Sequence, residues 1–243
     1  MNFPKNIAII MDGNRRWGKL NSTSIERTYN LGARNLKNII IKAQELDVQQ
    51  LTAFAFSTEN WNRERIEIKL IFNLLEKFIR SEIVDINYNN IKFKLIGNQD
   101  NFKKGLKDII ARAEKLTEHN TGLYFNLAFN YGGEMDLVKS FNSLLDKKFK
   151  NKDHKLVELS DIRENLYSSD IKNFDFLIRT GGEKRISNFM LLQLTYSELC
   201  FTNLTWPEFD PLEFEKSLID YSNRERRFGA SSFKKSAFRK KIF

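Results

Sequence analysis

Five stretches of this chain combine glycine, arginine and short polar side chains in a pattern suited to phosphate chemistry. They are Asp12-Gly13-Asn14-Arg15-Arg16-Trp17, Ser57-Thr58-Glu59-Asn60-Trp61-Asn62-Arg63, Gly97-Asn98, Asn130-Tyr131-Gly132-Gly133-Glu134, and Arg179-Thr180-Gly181-Gly182-Glu183 running on through Arg185 and Ser187 to Asn188. Arginine forks match phosphate oxygens bidentately, and glycine lets backbone N–H groups approach an anion. Arg15 and Arg16 form one cluster and Arg179, Arg185 and Ser187 another, with Arg63 as a fifth arginine. Two clusters suit two phosphorylated ligands better than a single nucleotide, and neither a P-loop nor a dinucleotide fingerprint is present. Mg²⁺ is held by one or two carboxylates plus substrate phosphates. Asp12 is the first candidate ligand and Glu198 the second; the bland alternative for Asp12 is a helix cap or an arginine partner.

The elements that must position these residues follow from the apolar pattern. Strands are expected at 7–11, 51–56, 93–96, 123–129 and 174–178, with a weaker sixth at 198–202. Helical spacing runs over 33–46, 66–86, 103–117, 134–149 and 209–221, the last with Asp210 as cap and Pro211 at its first position. This alternation predicts an α/β fold, a single domain with a central, mostly parallel six-stranded sheet flanked by helices. Ligands of such sheets bind beyond the carboxyl ends of the strands, and the five stretches fall there. The apolar face of 66–86 is wide; besides serving as core, it would with Ala55 line a hydrophobic tunnel beside the phosphate site.

Composition narrows the function class. The 243 residues carry a net charge of +9, but 224–243 alone hold eight Lys/Arg against one Glu, so the body is nearly neutral. Residues 1–229 read as one domain, which the resemblance described below makes the catalytic one, and 230–243 as a basic C-terminal tail. Phenylalanines interleave with the tail's basic residues, yet a solvated tail or contact with an anionic membrane surface is preferred to nucleic-acid binding. The single cysteine, Cys200, excludes an internal disulfide and suits a reducing, cytoplasmic compartment. Two histidines exclude a multi-histidine metal site. No apolar run reaches the ~18 residues of a membrane span, and Asp12, Arg15 and Arg16 interrupt anything resembling a signal peptide.

Five ordered motifs, four of the stretches above together with Asn223-Arg224-Glu225-Arg226-Arg227-Phe228-Gly229, resemble those of the cis-prenyltransferases, the bacterial undecaprenyl diphosphate synthase branch most of all. The resemblance covers about 7–229. It implies Mg²⁺-dependent condensation of isopentenyl diphosphate with an allylic diphosphate, usually farnesyl diphosphate. The product would be a long-chain Z-polyprenyl diphosphate, such as the undecaprenyl carrier lipid of cell-wall synthesis. By that analogy Asp12 holds Mg²⁺ with Glu198 as the second associated acid, and Gly13, Asn14, Arg15 and Arg16 cradle the allylic diphosphate. Arg179, Arg185 and Ser187 would take isopentenyl diphosphate, Asn60 would position substrate or assist proton removal, and Trp61 would sit in a closing loop. Trp17, Ser57, Glu59 and Arg63 are carried over as substrate-binding, and Ala55 and Leu123 as tunnel-lining. The analogy also implies a homodimer, here with peripheral contact to the inner membrane face through the tail.

One segment departs from the family pattern Arg-x-x-Gly-His. Ile25 stands where the arginine belongs and Tyr29 where the histidine belongs. A phenol carries no charge at neutral pH, so an uncompensated loss would weaken allylic binding by ~1.5–3 kcal/mol. That departure motivates the competing reading of a catalytically weak or accessory homologue acting as a binding or dimerisation subunit.

Overall fold

The central strands form because short runs rich in β-branched, aromatic and other apolar residues are buried on both faces, as a sheet covered on two sides requires, while the two edge strands are only partly buried. β1 (Asn6–Ile10), β2 (Gln50–Ser57), β3 (Lys92–Ile96), β4 (Tyr124–Tyr131), β5 (Phe176–Arg179) and β6 (Glu198–Phe201) make one all-parallel sheet in the order β3-β4-β2-β1-β5-β6. The structure, a computed structural model, describes residues 2–152 and 154–225. The 230–243 tail and the end of the last motif lie outside the described residues.

Alternate residues of β1 feed opposite layers. Ile7 and Ile9 pack into the larger core beneath α2 (Ile25–Glu45), α3 (Arg65–Tyr88) and α4 (Lys104–Leu116), which also takes residues of α7 (Pro211–Ser222). Ala8 and Ile10 face a smaller core built on Phe54, Tyr131, Phe174 and Phe189. α5 (Gly133–Asn151) and α6 (Leu159–Glu164) follow β4, and α1 (Asn14–Leu20) follows β1.

The chain leaves β1 towards β2 on one side and later returns to β5 on the other. The sheet therefore switches direction between β1 and β5, which opens a crevice at their carboxyl ends. Gly13 sits there at φ +99, and a Cβ on it would lie 2.8 Å from that of Thr205. Gly181, at φ +83, packs its bare Cα against the backbone of Asp12 and Gly13. Both positions need glycine for conformation and for space.

All six predicted strands are present, with ends shifted by one or two residues. Helix α2 starts eight residues before the predicted 33, capped by Ser24, whose hydroxyl accepts from the Arg27 N–H at 3.3 Å. Asp210 caps α7 as expected, accepting from the Glu213 N–H at 2.9 Å. Helices α1 and α6 carry too little apolar pattern to be read from sequence.

Buried Asn35 of α2 donates to the carbonyls of Trp206 and Phe209 at 2.7 and 2.8 Å, fixing the segment that backs Gly13. Asn35→Ala leaves two buried carbonyls without that donor and is expected to cost about 2–4 kcal/mol. Urea unfolding monitored by circular dichroism measures the loss; a midpoint unchanged from wild type contradicts it.

Candidate active site

Asp12 follows β1 and Arg179 ends β5, so the two face each other across the crevice. Arg179 Nη2 donates to Asp12 Oδ2 at 2.7 Å, and Asp12 Oδ1 accepts from the Gly13 N–H at 2.6 Å. Arg179 is buried and also donates to Ser187 Oγ at 2.7 Å and to the Arg185 carbonyl. The sequence placed Arg179 directly on a substrate; the structure gives its guanidinium three protein partners, so it first organises the crevice. The carboxylate of Asp12 is 31% exposed and lines a cavity of about 330 Å³.

That cavity gathers Asp12, Gly13, Asn14, Arg15, Arg16 and Arg63, as predicted, and adds Lys19 and Tyr29. Such a concentration of positive charge needs internal counter-ions. Glu67, only 5% exposed on α3, lies 3.6 Å from Arg15 Nη1 and accepts from Arg63 Nη1 at 3.0 Å. Tyr29 completes the group: its hydroxyl donates to Glu67 Oε1 at 2.7 Å and accepts from Arg63 Nη1 at 2.9 Å. Burial first, and then the hydrogen bond to Glu67, push the Tyr29 phenol well above its ordinary range, against the opposing effect of Arg63 and Arg15. The phenol is thus a permanent neutral donor. Where the family places an imidazole, this chain has a hydroxyl that locks Arg63 to Glu67. Ile25 lies at the exposed start of α2, and Arg27 is exposed and absent from the cavity wall.

A second acid, Glu183, binds arginines from both clusters. It is 3.6 Å from Arg16 Nη2 and accepts from Arg185 Nη1 at 2.6 Å, while Arg16 also donates to the Gly181 carbonyl. The two clusters are therefore coupled rather than separate.

The residues after β2 fold into a 3₁₀ turn over Thr58–Asn62. Asn60 and Ser57 form a reciprocal cap, the Ser57 N–H donating to Asn60 Oδ1 at 3.1 Å. Trp61 donates through Nε1 to Asn130 Oδ1 at 2.7 Å and packs its ring against Phe56 and Phe72. Glu59 accepts from Asn188 Nδ2 at 2.9 Å. Burial alone would raise the Glu59 carboxyl, but hydrogen bonds from Asn188, its own backbone, Ser57 and Thr58 prevail and hold it below its ordinary range. Asn188 Oδ1 in turn accepts from the Glu134 N–H at 2.9 Å, so this one residue ties together the loops after β2, β4 and β5. Ser187, Asn188 and Met190 all have positive φ, a strained run held by these bonds.

Three residues singled out in the sequence lie away from the cavity wall. Glu198 opens β6 opposite Phe176, three register positions short of Arg179, about 10 Å along the strand. It pairs with Arg224 Nη1 at 3.1 Å and is not brought beside Asp12. Leu123, expected in the tunnel wall, is buried in the core just before β4. Trp17 is half-buried on α1 and absent from the cavity wall. Among the described residues no group of three metal-ligating side chains occurs. Asp12 alone fits Mg²⁺, as one carboxylate whose remaining ligands would be phosphate oxygens and water.

Behind the charged cavity lies an apolar one of about 90 Å³. Both are lined by Met11, Asn14, Tyr29 and Ala55. Ile71, Leu74, Leu75 and Phe78 of α3 form one wall, and Leu127 and Phe129 of β4 form another. Tyr29, Glu67, Lys19 and Asn188 were absent from the predicted binding set. Tyr29 was marked as a departure from the family pattern and Asn188 as the end of the fifth stretch, and Glu67 carried a local signal, four residues after Arg63 on a helix.

Comparison with known proteins agrees with this geometry. A family described as "Putative undecaprenyl diphosphate synthase" matches residues 10–229. An isoprenyl transferase of Prochlorococcus marinus is 42% identical over 93% of this chain and 84% of its own length. A ditrans,polycis-undecaprenyl-diphosphate synthase ((2E,6E)-farnesyl-diphosphate specific) of Haemophilus influenzae is 37% identical over 95% of this chain and 97% of its own. The crystal structure of lavandulyl diphosphate synthase from Lavandula x intermedia, in complex with dimethylallyl diphosphate, superposes with a TM-score of 0.90. It is 32% identical and covers 93% of this chain and 98% of that one. With a charged strand-end crevice opening onto an apolar cavity, and with similarity along nearly its whole length, the chain belongs to the undecaprenyl diphosphate synthase family and is a prenyltransferase.

Proposed function

We propose that this enzyme elongates an allylic diphosphate, farnesyl diphosphate above all, with isopentenyl diphosphate to a Z-polyprenyl diphosphate that serves as a carrier lipid. The observation that carries the reading is the shared wall of Met11, Asn14, Tyr29 and Ala55, where a cationic cavity meets an apolar one. An amphiphile with an anionic head and a hydrocarbon tail fits that junction. Arg15, Arg16, Lys19 and Arg63 take the allylic diphosphate, and the loop carrying Arg185 and Ser187 takes isopentenyl diphosphate.

Breaking the allylic C–O bond sends an electron pair to the diphosphate and leaves positive charge on the hydrocarbon. The arginines stabilise the first, and the apolar cavity keeps water from the second. The isopentenyl double bond then attacks the allylic carbon, and a proton is lost. Asp12 is the one carboxylate lining the cavity and is bound to Arg179, so the departing diphosphate is the natural acceptor. Asp12 would hold Mg²⁺, which supplies Lewis-acid stabilisation of the leaving diphosphate. Asn60, bound to the Ser57 N–H, positions the turn.

The reading extends to a homodimer. Helix α5 buries Asp136, Ser140 and Leu144 but exposes Val138, Phe141, Leu145 and Phe149, the last two phenylalanines at 56% and 79%. An outward apolar stripe of this kind supports a partner surface. No helix among the described residues is long and apolar enough to cross a membrane; the basic tail remains the proposed route to an anionic membrane surface.

With radiolabelled isopentenyl diphosphate, farnesyl diphosphate and Mg²⁺, the enzyme is expected to form butanol-extractable product, and Asp12→Asn to lose at least about a hundredfold in kcat/KM. Absence of product with substrate binding intact would favour the accessory-subunit reading. Tyr29→Phe is expected to raise the allylic KM about tenfold while leaving the isopentenyl KM unchanged. Tyr29→His makes allylic affinity pH-dependent: strongest where the imidazole is protonated, weakening as pH rises through its pKa. Wild type stays flat across that range, because its phenol is held protonated; initial rates at several pH values check both. In analytical ultracentrifugation the wild type is expected at twice the chain mass and Phe141→Glu at the monomer mass.

A further inference from the structure

The loop that carries Arg185 and Ser187 is held in an unfavourable conformation. Ser187, Asn188 and Met190 have φ of +49, +58 and +44, a region that glycine enters freely and that costs other residues, asparagine least. Such a run persists only where its surroundings fix it. On its far side the fixing is apolar: Phe189 and Met190 are fully buried, and the Phe189 ring stacks on Phe54 with centroids 4.3 Å apart. On its near side Ser187 Oγ accepts from Arg179. Between the two stands Asn188, which reaches out of its own loop.

Asn188 bonds two other strand-end segments at once. Its backbone carbonyl accepts from the Gly133 N–H at 2.7 Å, and its Oδ1 accepts from the Glu134 N–H at 2.9 Å. These N–H groups open α5, where a helix has no internal acceptors for them. The cap position is Gly132, which has no side chain to offer, so Asn188 caps α5 from a distant part of the chain. A Cβ on Gly133 would lie 3.0 Å from the Asn188 carbonyl oxygen and 2.6 Å from Leu191 Cγ, so the approach requires glycine there. The other end of the carboxamide, Nδ2, donates to Glu59 Oε1 at 2.9 Å. Glu59 belongs to the turn whose Trp61 bonds Asn130 at the end of β4.

Both ends of the Asn188 carboxamide are thus engaged with protein, and what it fixes is its neighbour in sequence. Ser187 Oγ and the Arg185 carbonyl are both acceptors for Arg179, so the placing of this loop is transmitted to the crevice. We propose that Asn188 is a positioning residue for isopentenyl diphosphate: by capping α5 and holding Glu59, it sets where Ser187 and Arg185 meet that substrate. This rests on the chain-elongation reading, which gives this loop to isopentenyl diphosphate.

The test measures KM for each substrate separately, by extraction of radiolabelled product. Asn188→Gly is the discriminating variant, because glycine suits the positive φ better than asparagine yet deletes the carboxamide. It is expected to raise the isopentenyl KM at least about tenfold and to leave the farnesyl KM within about twofold. Asn188→Asp keeps the acceptor for the Glu134 N–H but sets a carboxylate against Glu59, and is expected to lose as much. Adding Glu59→Gln, whose amide donates back across the same contact, is expected to recover most of the isopentenyl affinity lost in Asn188→Asp. Thermal melts verify folding, and the Asn188→Asp pair carries the test if the glycine variant is unstable. An unchanged isopentenyl KM in folded Asn188→Gly overturns the proposal, as does an equal rise in the farnesyl KM. Failure of Glu59→Gln to improve Asn188→Asp overturns the link to Glu59. A wild type that forms no product at all refutes the elongation reading instead.

Discussion

The ion pair between Arg179 and Asp12 is the constraint on which the rest of the site depends. It joins the carboxyl ends of β1 and β5 at the one place where the sheet reverses direction. A buried guanidinium needs its charge compensated, and here one carboxylate, one hydroxyl and one carbonyl take up Nη1 and Nη2, while Nε is left without a partner among the described residues. In doing so they fix where Asp12 points and where the loop through Ser187 lies. The glycines at 13 and 181 let the two backbones come close enough for that bond.

The remaining arginines are arranged by acids rather than by each other. Glu67 and Glu183 each hold two arginines, so charges that would repel are preorganised before any ligand arrives. The two acids differ in how firmly they hold. Buried Glu67 and Tyr29 tether Arg63 by short hydrogen bonds, whereas Arg15 is more than half exposed and at longer range. The fixed arginine defines the cavity, and the looser one is placed to turn towards an incoming diphosphate. The departure at Tyr29 therefore changes how the site is held together without emptying it.

Much of the fold was legible in the sequence because the strands are short, mostly apolar runs separated by longer stretches of helical spacing. What escaped had physical reasons. Helix α1 buries only Gly18 and shows no apolar stripe. The first turns of α2 bury Thr28 and Gly32, so the helical period there is carried by residues that hydropathy does not register. The strand bearing Glu198 was found, but pairing register alone decides which end of a parallel strand a residue occupies, and it puts Glu198 with Arg224. Leu123 is buried just before β4, and the wall of the apolar cavity is formed further along that strand by Leu127 and Phe129. The motif arginines were recognisable by type, whereas the linking role of Glu67 and Glu183 was not, because each joins a near neighbour, Arg63 or Arg185, to an arginine distant in sequence, Arg15 or Arg16.

A double-mutant cycle between Asp12 and Arg179 tests the central claim most directly. Conservative changes, Asp12→Glu and Arg179→Lys, keep charge and leave turnover measurable, and kcat/KM for isopentenyl diphosphate is read for each single variant and for the pair. If the bond across the crevice organises both diphosphate sites, the two changes are strongly non-additive, with a coupling of about 1–3 kcal/mol. Effects that simply add would mean that Asp12 and Arg179 serve their ligands independently, and the account of a single linked site would be wrong.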